Sequence, residues 1–283
     1  RPPGVVACVG TILGRRRLNW SAMRLLRLFL IYLRIGLLYE LQYRANFWIQ
    51  MGKSLMNLVV ALAGVAVIYG HTDHLNGWEQ AELVALLGIF VLMTGVLGVV
   101  VRPSMEKLIE DVRDGNLDFT LTKPEEAQVL VSVSQVRVWQ LIDVILGPTV
   151  SAAALIHMGK HVEMQQAAIF AVTLLAGIVI LYSFWLILAT VSFWFIRIEN
   201  IFMIFHSLYD AARWPVTIYP GWLQAALTFL VPVTFAVTVP AEALIGRLST
   251  DYFVLTIGLA LTLSLVSRLF WRVGVRHYAG ASA

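Results

Sequence analysis

Long apolar runs set the terms for this chain. Residues 47–69, 82–101, 138–158, 166–195 and 252–271 are almost continuous aliphatic and aromatic sequence. Each is about 20 residues or longer, enough at ~1.5 Å per residue to cross the roughly 30 Å core of a bilayer as a helix. Backbone in hydrocarbon must satisfy its own hydrogen bonds, and runs of this length do so as helices packed on helices. The composition agrees: 59% of residues are hydrophobic, 13% are charged, and the mean hydropathy is +0.78. Those values exclude one or two soluble domains. The single cysteine, Cys8, excludes an intramolecular disulfide framework and a cysteine-rich metal centre. The formal charge of +4 does not point to nucleic acid. The basic residues flank apolar runs, and no basic stripe with interleaved aromatics occurs.

Residues 1–22 form a basic tail containing Arg15, Arg16 and Arg17, with no clean signal-peptide cleavage site after it. Met23 reads as a natural start for the fold. Residues 23–44 are helical in pattern, with Arg24, Arg27, Arg34 and Gln42 on one face. If this segment crossed, Arg34 would stand near mid-bilayer at a cost of about 2.5–3.5 kcal/mol. A helix lying in the interface, arginines toward the headgroups, avoids that cost.

In the first span, residues 47–69, Lys53 is close enough to one end to snorkel to the headgroups. Gly52-Lys53-Ser54 imitates the end of a phosphate-binding loop, but Phe47 stands where the first glycine belongs. His71, Asp73 and His74 read as solvated turn residues rather than metal ligands. The second span, residues 82–101, carries Gly88, Gly95 and Gly98, which let another helix approach closely. The third, residues 138–158, is interrupted by Gly147-Pro148 and contains Asp143. That aspartate is expected to pair with Arg137 or to hydrogen-bond to a neighbouring helix; the alternative is a proton or substrate site.

The fourth run, residues 166–195, exceeds the bilayer thickness and must tilt or protrude. Residues 200–219 are less apolar and are the expected fifth span, the alternative being that 220–240 makes the full crossing; their Asp210 and Arg213 are three apart and able to pair. Pro215, Pro220, Pro232 and Pro240 then fall too close together for one straight span. Residues 220–245 are therefore expected to be broken helices that dip into the membrane and return. The last span, residues 252–271, is closed by Arg268, Arg272 and Arg276.

Orientation follows from where the basic residues lie. Eight arginines precede residue 45, five basic residues lie in 102–137, and three close the last span. The alternate loops hold none (71–80), Lys160 alone, and Arg247 alone. The positive-inside rule then places both termini and the central polar interval in the cytoplasm, with six crossings. The expected fold is an all-α polytopic membrane protein. Its six transmembrane helices are preceded by the interfacial helix, and a re-entrant hairpin comes before the last span.

Residues 102–124, RPSMEKLIEDVRDGNLDFTLTKP, are the longest polar interval between spans, with four basic and five acidic residues. Pro103 suits a first helical position and Gly115 a stop, which predicts a short helix lying across the spans. Glu106, Lys107, Glu110, Asp111 and Arg113 give that helix a charged surface, and Leu108, Ile109 and Val112 an apolar patch that a partner could grip.

The run Arg113-Asp114-Gly115-Asn116-Leu117-Asp118, continuing through Leu121 to Lys123-Pro124, resembles the R-x-G-x-L-D-x-x-L-x-K-P signature of bacterial ATP-binding-cassette (ABC) permeases of the type-2 exporter class. Further resemblances lie in Tyr43-Arg44-Ala45-Asn46-Phe47, in Arg213-Trp214-Pro215 with Tyr219-Pro220-Gly221-Trp222-Leu223, in Val231-Pro232-Val233, and in Phe270-Trp271-Arg272 with Gly280-Ala281-Ser282.

The resemblance implies a permease subunit that exports a substrate by alternating access. ABC ATPase subunits would dock on the loop after the second span, and a second permease, identical or related, would complete the pathway. The docking residues implied are Glu106, Lys107, Glu110, Asp111, Arg113, Gly115, Leu117, Asp118, Lys123 and Pro124, with 105–112 in contact and 115–124 as the holding turn. Arg213, Pro215, Tyr219, Pro220, Trp222, Pro232 and Pro240 would form the re-entrant gate on the outer side. No phosphate-binding loop occurs in this chain, so it has no catalytic residues or cofactor of its own; ATP and magnesium belong to the partner. The nine tryptophans and fourteen phenylalanines suit an amphipathic or lipid-like cargo, though interfacial belts account for most of them. The competing readings are a non-transporting anchor or assembly subunit and an ion- or proton-coupled carrier using Asp143 with Asp210 and Arg213.

Overall fold

The computed structural model describes residues 30–34, 36–38, 44–72, 74–123, 126–160, 162–195 and 199–278. The tail before residue 23, Arg24, Arg27, Asp73, Pro124, Arg197 and the Gly280-Ala281-Ser282 end lie outside the described residues. Every named element is helical, and the only extended pairing among the described residues is an isolated bridge, Leu75 with Trp78.

Five helices are long and apolar enough to cross a membrane. They are α1 (Arg44–Tyr69), α2 (Gln80–Arg113), α5 (Leu141–His157, entered through a 3-10 turn at Val138–Gln140), α6 (Met164–Thr190) and α10 (Thr250–His277). Between them lie the short helices α3 (Asp118–Leu121), α4 (Ala127–Ser132), α7 (Glu199–Asp210), α8 (Gly221–Ala225) and α9 (Val239–Ile245). In the described part of residues 23–44, Leu30–Arg34 and residues 36–38 are helical, and Gly36 lies against the carbonyl of Val136.

The central helix is α2: 72% of its most apolar stretch is buried in the bundle, against 11% for α1 and 17% for α10. Lipid removes the hydrophobic drive for helix association, so close packing and interhelical hydrogen bonds must supply it. The tightest seam runs between α2 and α5. A Cβ on Gly88 would strike the Ser151 hydroxyl and stand 2.7 Å from the Gly147 carbonyl, and one on Gly147 would stand 2.6 Å from the Gly88 carbonyl. Gly95 meets Val144 and Gly98 meets Gln140 along the same line, so all three glycines anticipated on the second span face α5. Ser151 then donates to the Ala85 carbonyl at 3.1 Å. Gly147-Pro148 does not break α5, which runs unbroken through it. The proline only leaves the carbonyl one turn earlier, at Val144, without its helical donor.

Residues 199–218 traverse the bundle without a long helix. At 12 residues α7 is about 18 Å long, too short to cross alone. It starts with Phe202 packed at a tilt on Trp185 (4.5 Å between centroids), near the end of α6. One turn on, His206 bonds Arg102 at 2.8 Å, and Tyr209 then stacks on Phe90 and bonds Thr94. Beyond 3-10 turns at Ala211–Arg213 and Val216–Ile218, the Thr217 carbonyl accepts from Asn76, in the loop before α2. These contacts climb α2 from Arg102 to its start, so residues 199–218 run from one end of the bundle to the other.

The bent pair that follows returns to the end where it began. Gly221–Leu230 and Thr234–Ile245 meet at 77°, with Pro232 in the break. Before the pair, Thr217 touches the loop at Asn76; after it, Gln166 donates to Leu244, Lys160 to Ile245, and Arg247 to Gly77. Both ends therefore lie beside the loops 71–79 and 158–163. The pair is a bent hairpin with both ends at one end of the bundle, opposite to the basic end, where Arg102, Arg137 and Arg268 lie.

Candidate functional site

At the basic end α2 outruns the membrane. Its 34 residues span about 51 Å, some 20 Å more than a bilayer core. The helix does not stop and restart across the spans as the sequence suggested. It continues through one wide π-helical stretch at Leu97–Val101, and the Val99 carbonyl accepts the Arg137 N–H at 2.8 Å. Ser104, fully buried, both donates to the Gln135 carbonyl (3.1 Å) and accepts its N–H (3.2 Å). The strand-like segment before α5 is thereby stitched along the extension.

The anticipated docking residues divide by environment. Glu106 faces inward and joins two elements, binding Arg102 at 3.0 Å and Arg137 at 2.7 Å. Lys107 and Asp111 pair at 2.8 Å along the helix, and Arg113 pairs with Asp114 at 2.9 Å. Glu110 is exposed. The apolar patch expected on the outside is turned in: Leu108 is 1% and Ile109 3% exposed, packed where the extension lies on α6. Periodicity alone could not tell a face gripped by a partner from one gripped by the chain's own sixth helix.

The turn that follows is shaped by the signature residues. Gly115, at φ 72°, takes the left-handed conformation that ends the helix. The N–H groups of Asn116 and Leu117 then reach back to the Asp111 carbonyl (2.8 and 3.2 Å), and Leu117 is fully buried. Leu121, one turn on, packs on the same core. Phe119 lies halfway between these two and points away, 73% exposed. It occupies an unspecified position of the signature, which is why the motif did not single it out; its offset of two from both leucines was the available signal. Lys123 is exposed nearby. Just after α10, Tyr278 lies against this turn: it packs edge-on to Phe193 (5.8 Å), and burial, then the Asp118 carboxylate, push its phenol above the ordinary value.

Deeper in the bundle lies a chamber of about 460 Å³ between α1, α2, the start of α5 and residues 206–213. Leu58, Val60, Leu87 and Phe90 make part of its wall apolar, whereas Lys53, Asn57, Arg102, Asp143, Asp210 and Arg213 supply polar and charged groups. Asp143 accepts from the Ser54 hydroxyl of α1, the hydrogen bond to a neighbouring helix, while Arg137 goes to Glu106. Arg213 does not pair with the Asp210 carboxylate. It donates to that residue's backbone carbonyl (3.0 Å) and lies over the Phe90 ring, 5.9 Å from the centroid.

The opposite end is locked by one buried carboxylate. Glu82, at the start of α2, binds Arg247 at 2.5 Å and Lys160 at 3.6 Å, and Arg247 lies over the Trp78 ring. Among the residues anticipated for a gate, Tyr219 donates to the Ala211 carbonyl (2.9 Å) and Pro220 precedes α8. Pro240 lies in the first turn of α9, and Trp222 and Phe229 are 73% and 83% exposed. Pro215 precedes the second 3-10 turn. His71 bonds the Val67 carbonyl, and no cluster of three metal-ligating side chains occurs among the described residues.

Residues 55–282 match the family described as ABC-2 family transporter protein. Searches of curated proteins and of solved structures gave no match.

Proposed function

The chain belongs to the ABC-2 transporter family, whose match runs over residues 55–282, and from that premise we propose that it exports an amphipathic or lipid-like substrate by alternating access. Membership makes it a membrane permease component that works with ABC ATPase subunits and is not itself the ATPase. In the proposed arrangement both termini and the basic end of the bundle are cytoplasmic. Six crossings and an outer re-entrant hairpin complete the subunit, in the cytoplasmic membrane of a bacterium. A second permease, a copy of this chain or a relative, faces the chamber side of α1.

The observation that carries the reading is the extension of α2. A helix that overruns the bilayer by roughly 20 Å and ends in a shaped turn is a rigid lever whose far end is the wall of the chamber. ATP binding, with magnesium, on the partner subunits draws the two ATPases together and moves the paired levers. The α2–α5 seam transmits the motion as a unit, because its backbones already touch. The chamber then opens outward past the re-entrant hairpin, and hydrolysis resets it. A non-transporting anchor would have no use for a charged chamber at membrane depth, where an unpaired ionised group costs several kcal/mol.

The test is isolation of the complex in gentle detergent followed by reconstitution. An ABC ATPase should co-purify, and its ATP turnover should change when the permease is present. Purification of the permease with no ATPase partner under those conditions overturns the proposal.

A further inference from the structure

The part of the extension that grips the ATPase is not the face of α2 but the tip beyond it. We infer that Phe119 is the anchoring side chain, a single aromatic knob that enters an apolar pocket on the ABC ATPase subunit. The inference rests on the permease reading above and adds to it the contact that carries the load.

Three observations converge on this residue. The apolar side chains of the extension, Met105, Leu108 and Ile109, are buried in the chain's own core, so they are not available to a partner. Phe119 is 73% exposed at the end of a turn whose shape is held from inside by Gly115, Leu117 and Leu121. A ring presented on a fixed turn loses little freedom on binding, which is the property of interface anchors.

Depth selects the partner. Arg102 ends the apolar part of α2, and the 11 residues from Pro103 to Arg113 carry the chain about 16 Å further along the helix. The headgroup layer on each side is only about 5–8 Å thick. The tip therefore stands in the aqueous phase, beyond the reach of acyl chains, and a bare phenyl ring there needs a protein pocket. Its neighbours Asp114, Asp118 and Lys123 carry charges of both signs, the rim expected around an apolar anchor.

The experiment uses the full permease co-expressed with the ABC ATPase encoded nearest to its gene, the tag being on the ATPase. Phe119→Asp is expected to lower recovery of the permease on the tagged ATPase at least tenfold, as for a central aromatic anchor. Phe119→Leu should keep recovery within about threefold, because the pocket still receives an apolar side chain. Insertion and thermal unfolding of the isolated permease should be unchanged for both variants, since the ring is largely bare. A photo-reactive phenylalanine analogue at position 119 should cross-link to the ATPase. Full recovery of Phe119→Asp, or cross-linking to lipid in place of the ATPase, overturns the inference while leaving the permease reading intact. If the unsubstituted chain recovers no ATPase at all, both fall together.

Discussion

Asp143 shows how far single residues could be read. Its position in an apolar run marked it as needing a partner, and Ser54 of α1 is that partner. The identity of the partner was out of reach, because α1 and α5 are brought together only by the bundle. Asparagine keeps an acceptor for the serine hydroxyl, so Asp143→Asn should leave ATP turnover of the reconstituted complex within about twofold, interhelical hydrogen bonds in membranes being worth about 0.6 kcal/mol. A loss of export that tracks ionisation at this position would favour a proton-coupled mechanism. The partners of Arg213 were out of reach for a related reason. Spacing of three makes a pair with Asp210 possible, but the 3-10 turn beginning at Ala211 aims its guanidinium at a carbonyl and at Phe90. Gly115 was legible outright as a stop. Gly115→Ala places a Cβ in the left-handed region at about 1–2 kcal/mol, and should lower both the melting temperature and ATPase recovery.

Among the elements, apolar run lengths located all five long helices, but their company decided what each does. The pair Gly147-Pro148 looked like an interruption. It is instead the place where α5 comes closest to α2, and glycine serves there for approach rather than for bending. Gly88→Val should drive the α2–α5 seam apart. Overpacking costs about 1–3 kcal/mol in a tight core, and here the obstacle is backbone, so reduced yield of folded permease in detergent is the expected readout. The extension of α2 was expected as a separate helix because Pro103 can start one. Proline needs no donor in the first turn, but the π-helical stretch before it re-satisfies the backbone and lets the helix continue. Glu110→Lys should weaken ATPase recovery less than Phe119→Asp does, since Glu110 is exposed and exposed charges at a rim contribute little.

For the whole molecule, the bent hairpin of residues 221–245 is the decisive feature, and its latch is Glu82. Arg247 and Lys160 keep side-chain exposures of 45% and 42%, so screening limits Glu82→Gln to a destabilisation of about 1–2 kcal/mol. Its expected signature is local: faster proteolysis or hydrogen exchange in residues 220–249, with the remainder of the bundle unchanged. Crossing number has its own test. In a chain with Cys8 replaced by serine, Thr217→Cys and Arg247→Cys should both react with an impermeant thiol reagent from the outside, and Asp114→Cys and His277→Cys only from the cytoplasm. Labelling of Thr217→Cys and Arg247→Cys from opposite sides would make the bent pair a crossing and remove the hairpin from the proposed gate.

What the sequence determined by itself is what depends on local backbone satisfaction. In lipid every N–H and C=O must be paired within its own segment, so helix, and the place of the long apolar spans, are written in consecutive residues. The signature from Arg113 to Lys123 likewise encodes a turn whose bonds are all local, through Gly115 and the Asp111 carbonyl. Tertiary structure alone decided which faces are free. Leu108 and Ile109 are indistinguishable from a docking patch until α6 is seen lying on them, and Phe119 is unremarkable until Leu117 and Leu121 turn inward on either side of it. Exposure belongs to the assembled bundle, and so the polar interval between the second and third spans could be recognised from its residues, whereas which of its side chains remain bare could not.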